Sequence, residues 1–165
     1  MDTNNRTMVS SRFLYEFMSA VMRYVDAEDE YPELDFHGLN GNNSVEVKER
    51  VIRPFIVPWF HKWWDETSQQ TLKNSLQYYL NQEKPLDGPQ DLFDSVIGDS
   101  NFSFDPPMPS RLFFVWIWEE LFEPEDYQID TRNFVVDDNR DWYLTVRSDG
   151  DDEPHLTIGD KHLLL

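Results

Sequence analysis

Apolar residues return at three-and-four spacing near the start of the chain: Leu14, Phe17, Met18, Val21, Met22 and Val25. That spacing puts them on one stripe and predicts an amphipathic helix over 7–27, capped by Thr7 or Ser10. The pattern runs out in Asp26-Ala27-Glu28-Asp29-Glu30-Tyr31-Pro32. Pro32 cannot continue a helix, and acids there oppose the negative end of the helix dipole, so this end is expected to fray. Residues 35–43 read as loop from their Gly and Asn content.

A second helical pattern starts near Asn43, with Glu46 as capping-box partner. Pro54 and Pro58 each lack an N–H and crowd the carbonyl four residues back. They predict a break or kink, leaving two short helices over about 44–53 and 58–66. Thr67, with Gln70 three on, opens the next helix, which buries Leu72, Leu76, Tyr79 and Leu80. A turn over 83–89, a short helix over 89–97 ending at Gly98, and a Pro-rich linker over 98–109 follow. Leu112 to Phe122 begins like a buried strand, but its length, its acidic pair and Ser110 as cap favour a buried helix.

After residue 132 the period changes. Phe134–Val136, Trp142–Arg147, His155–Ile158 and His162–Leu165 are short β-prone runs separated by turn-forming residues. The expected fold is therefore α+β in a single domain, 1–165. A helical N-terminal two-thirds (about 7–122) packs on a small C-terminal antiparallel β-meander (about 132–165).

Charge changes the picture most. The chain has 32 Asp and Glu against 14 Lys and Arg, a net charge of −18, yet also 12 Phe, 7 Tyr and 6 Trp. The aromatics argue for a packed core and the acids for an anionic shell. Such a shell repels nucleic acid and anionic membranes and attracts cationic protein surfaces. There is no cysteine, which removes disulfides, thiolate metal sites and Cys nucleophiles and suits an intracellular protein. The N-terminus lacks a signal-peptide profile, and the longest apolar run, Leu112–Trp118, is too short to cross a bilayer. A soluble, cytoplasmic protein is expected.

Motifs for catalysis are thin. His61 and Asp65 stand four apart, on one face if both are helical, among Trp59, Phe60, Trp63 and Trp64, but no nucleophile motif accompanies them. Asp35 with His37, and His155 with His162, make at most pairs, too few for a zinc site. From Asp149 the sixth position of a calcium loop would be Pro154, where the turn needs Gly, so Asp149-Gly150 reads as a hairpin turn. No glycine-rich phosphate loop, His-Glu-x-x-His or Gly-x-Ser-x-Gly occurs. No cofactor and no metal are expected. Lys48, Arg50, Arg53 and Lys62 are the one basic concentration, and Glu46–Arg50 and Glu49–Arg53 account for most of it as helix ion pairs.

The acids fall in base-free stretches, as plain solvation or as a surface matched to a cationic partner. The leading expectation is a non-enzymatic protein that binds and inhibits or regulates a cationic target, such as a toxin or a nucleic-acid-binding protein. Immunity proteins, anti-CRISPR proteins and other mimics of nucleic-acid charge are of this kind. The expected contact residues are Asp26, Glu28, Asp29, Glu30, Glu119, Glu120, Glu123, Glu125 and Asp126, with Trp63 or Trp64 as aromatic anchor. Direct nucleic-acid and membrane binding are not expected. The alternatives are a small enzyme or ligand-binding domain using His61 and Asp65 in an aromatic pocket, and an assembly subunit with aromatics buried between chains.

Overall fold

The computed structural model describes residues 6–25, 36, 38–82, 92–98, 104–137, 144–145 and 157–158, with backbone alone at 20, 22–25, 63, 144–145 and 157–158. Strand β1, Thr7–Val9, leads directly into helix α1, Ser11–Val25. Ser10 separates them and caps α1: its Oγ accepts from Arg12 N at 3.2 Å, while its own N–H donates to Ser75 Oγ at 3.2 Å. The first helix is thus shorter than the stripe implied, because Thr7–Val9 are recruited into a sheet. The stripe itself is buried as expected, with Leu14, Phe17, Met18 and Val21 at most 1 % exposed.

The middle of the chain shows a different answer to its prolines from the one expected. Helix α2, Ser44–Val47, is capped by Asn43, whose side chain accepts from Glu46 N at 3.2 Å. It does not break at Pro54. It widens into a π-helical segment, Lys48–Ile56, and then tightens again as α3, Val57–Trp63. A wider turn moves the i−4 carbonyl away from each proline ring, so the crowding that would have broken an α-helix is relieved by one extra residue per turn. The Val57 N–H accordingly bonds the Ile52 carbonyl five residues back. The break falls instead at Trp64, which is extended (φ −101, ψ 135). Helix α4, Glu66–Leu80, then starts from Asp65 as N-cap, two residues earlier than Thr67 implied.

Helix α5, Leu92–Gly98, and helix α6, Arg111–Phe122, complete the helices among the described residues. The 112–122 run is a helix, as its length favoured, although Ser110 makes no side-chain cap bond. It is apolar on most of its circumference, and it packs against the π segment, α4 and α5. Phe113, Phe114, Trp116, Ile117 and Trp118 are all buried there. Of the expected linker, residues 104–109 are docked rather than free. Phe104 is 7 % exposed, Met108 N donates to Asn42 Oδ1 at 3.0 Å, and a Cβ on Gly41 would lie 1.6 Å from the Asp105 carbonyl oxygen. Only glycine permits that backbone approach.

Among the described residues no C-terminal antiparallel β-meander is seen, and the α+β expectation is corrected: the described chain is mostly helical. Strand β2, Phe134–Val136, pairs in parallel with β1, Thr7 opposite Phe134 and Val9 opposite Val136. Its partner thus comes from the N-terminus rather than from the run that follows it. A separate contact joins Leu144–Thr145 (β3) to Thr157–Ile158 (β4), two residues on each side, and it shares no strand with the first sheet. The other expected strand residues lie outside the described ones. Among the described residues, no helix is long and apolar enough to cross a membrane.

Candidate functional site

The acids around the end of α6 are held by cations from two other elements. Lys48 Nζ lies 2.5 Å from Glu119 Oε2 and 4.0 Å from Glu120 Oε1. Arg53 forks onto Glu120, with Nε donating at 2.8 Å and Nη2 at 3.0 Å. This hydrogen bonding, with the Glu120 charge, raises the Arg53 guanidinium further above its ordinary value. Of the two helix ion pairs expected, Arg50 with Glu46 is present at 2.9 Å, while Arg53 instead reaches across to α6. Glu119 and Glu120 therefore stitch α6 to the π segment and are not free carboxylates.

Beyond α6 the chain turns back along α4. Lys73 pairs with Glu125. One turn on, Gln77 Nε2 donates to the Asp126 carbonyl at 3.4 Å, and another turn on, Asn81 Nδ2 donates to the Tyr127 carbonyl at 2.5 Å and Asn81 Oδ1 accepts from Ile129 N at 3.3 Å. Residues 73, 77 and 81 stand four apart on one helical face, so α4 grips residues 125–129 like a strap. The Trp118 indole N–H, donating to the Glu125 carbonyl at 2.7 Å, fastens the strap from the α6 side.

Glu125 and Asp126 project from this strap into solvent, and Glu123 and Asp130 are exposed just beyond its ends. Asp126 Oδ1 accepts from Gln128 N at 2.9 Å in an Asx turn, and the residue is exposed. Asp130 accepts from Arg132 Nε at 2.7 Å and from Arg132 N at 3.0 Å, and these bonds hold its carboxyl below the usual value of 3.8. The row Lys73, Gln77, Asn81 is visible in the sequence as a polar stripe beside Leu72, Leu76 and Leu80. What it grips is not, because three of the four gripped groups are backbone groups, which no side-chain pattern marks.

The remaining expected residues fall out as follows. Trp64 is fully buried against Phe17, Trp59 and Phe60, with ring centroids 5.2, 5.5 and 5.8 Å away, so it is core and not an anchor. The Trp59 and Trp64 indole N–H groups have no hydrogen-bond acceptor, since the ring cluster around them is apolar. The side chain of Trp63 lies outside the described residues, as do Asp26, Glu28, Asp29 and Glu30. His61 and Asp65 do not share a helix face. His61 is exposed on α3, whereas the Asp65 carboxylate is taken by the Ser68 N–H at 2.8 Å on the far side of the Trp64 break. Asp35, His37, His155, His162 and the Asp149–Pro154 turn are outside the described residues. Among the described residues no group of three or more His, Asp or Glu side chains is placed to hold a metal ion. No protein-family model, curated protein or solved structure matches the chain.

Proposed function

We propose that this protein is a non-enzymatic binding protein whose acids occupy a cationic surface of another protein and so block or regulate it. The observation that carries this is the use of its cations. Lys48, Arg50, Arg53, Lys73 and Arg132 are each engaged by a carboxylate of the same chain, while Glu123 and Asp126 are exposed without an ion pair among the described residues. These exposed acids belong to a chain whose net charge is −18. A strap held by α4 and by Trp118 presents its acids with little freedom left to lose on binding, and unscreened charge speeds encounter with a basic partner. The fitting targets are a toxin or a nucleic-acid-handling protein whose basic cleft ordinarily neutralises phosphates. The lack of cysteine suits action in a reducing compartment such as the cytoplasm.

The test starts from a partner captured from the native host and uses purified components. Raising salt from about 50 to 300 mM shortens the Debye length and should weaken binding by about tenfold or more. The Glu123→Lys, Asp126→Lys double reversal should produce a comparable loss with the fold intact. Binding indifferent to salt and to both reversals would sink the proposal.

A further inference from the structure

An open cleft of about 300 Å³ lies between the start of α4 and the end of α6, lined by Glu66, Gln69, Gln70 and Phe122. Its polar groups are unbalanced in one direction. Gln69 uses its amide N–H groups internally, donating to the Trp64 carbonyl at 2.7 Å, and Gln70 donates to Asn74 Oδ1 at 2.9 Å. Gln69 also donates to the Phe60 carbonyl at 3.4 Å and so has committed both amide N–H groups, whereas Gln70 has committed one of its two. Acceptor oxygens therefore predominate among the lining side chains. Glu66 adds a carboxylate with no ion pair among the described residues, and the half-buried Phe122 ring supplies an aromatic wall. The neighbouring cation, Lys73, lies 5.7 Å from the Phe122 centroid but is paired with Glu125. Asp65, capping the same end of α4, offsets the positive end of that helix.

Acceptors along one turn of α4, facing an aromatic wall across a cleft whose amide donors are mostly engaged, match one group best. We infer that the cleft accepts an arginine side chain of the cationic partner, taking from the proposed function only that the partner is cationic. Guanidinium has five donors in a plane and stacks on an aromatic face while those donors reach acceptors at its rim. A lysine ammonium has three donors, is more strongly hydrated and cannot stack in this way.

The probe is acetyl-arginine amide, titrated into the isotope-labelled protein and followed by the side-chain amide signals of Gln69 and Gln70 and the ring signals of Phe122. Saturable shifts confined to these groups are expected, with acetyl-lysine amide weaker. Two charge-matched pairs of exposed substitutions locate the effect. Glu66→Gln should weaken binding by about threefold, whereas Glu49→Gln, losing the same charge at an exposed position of the π segment, should change it by less than about 1.5-fold. Gln70→Glu should tighten binding by about threefold, whereas Gln82→Glu, at the far end of α4, should leave it within about 1.5-fold. Equal responses within either pair, equal binding of the lysine probe, or no saturable shift would each overturn the inference. If the cleft variants fail while a captured partner still binds with steep salt dependence, only the cleft assignment falls. If salt dependence is absent, the proposed function falls and the arginine result stands or fails by itself.

Discussion

Truncating Trp64 distinguishes a core aromatic from a surface anchor. The side chain is fully buried and meets three aromatic rings within 6 Å, so Trp64→Ala removes those contacts and leaves a cavity that the surrounding rings cannot fill. A substitution of this kind costs about 3–5 kcal/mol. In a chain of 165 residues each kcal/mol moves the midpoint by roughly 2–4 °C, so Tm should fall by about 10 °C. Trp64→Phe refines the test. The indole N–H is buried without an acceptor, and losing an unsatisfied donor recovers about 1–3 kcal/mol of desolvation, which offsets part of the lost ring contact. The phenylalanine variant should therefore cost less than half as much as the alanine variant. Thermal and urea unfolding, followed by circular dichroism, measure both. A Tm within about 2 °C of the parent for Trp64→Ala would show that the indole is not core. Equal costs for the two variants would show that the N–H is bonded after all.

Two further expectations concern single side chains. Asp65→Ala should lose about 1 kcal/mol with the cap of α4, while His61→Ala, at an exposed position, should stay within about 0.5 kcal/mol; a reversed order in urea unfolding would refute the capping assignment. Because Arg132 depresses the Asp130 carboxyl, its contribution to stability is present above the unfolded-state value and is lost as pH falls through the lower folded-state value, a window below about pH 4. Carboxyl-carbon NMR titration should place the Asp130 midpoint below the ordinary one and Arg132→Ala should raise it, whereas identical midpoints would refute the pairing.

How much of this was legible follows the range of the interactions concerned. Short-range ones were readable: the 14–25 stripe, Asn43 with its Glu46 N–H, the Glu46–Arg50 pair and the helix over 112–122 each depend on residues within one or two turns. Pro54 and Pro58 were legible as a disturbance but not as a π segment, because breaking and widening both relieve the same clash and packing against α6 selects between them. Thr67 was expected to open the next helix, and the extended backbone at Trp64 made Asp65 its cap instead. Phe134–Val136 was visibly β-prone, but its partner was not, since strand propensity carries no address and Thr7–Val9 lies more than a hundred residues away.

The charge excess, the aromatic content, the absence of cysteine and most helices are properties of composition and local spacing, and the sequence by itself determined them. Only the tertiary structure decided which acids are held by cations within the chain and which face solvent. It also decided that Trp64 is core, and that residues 125–129 are strapped along α4. The physical reason is that an ion pair such as Arg53–Glu120 joins residues 67 apart, and its energy depends on a distance in space that no local pattern encodes.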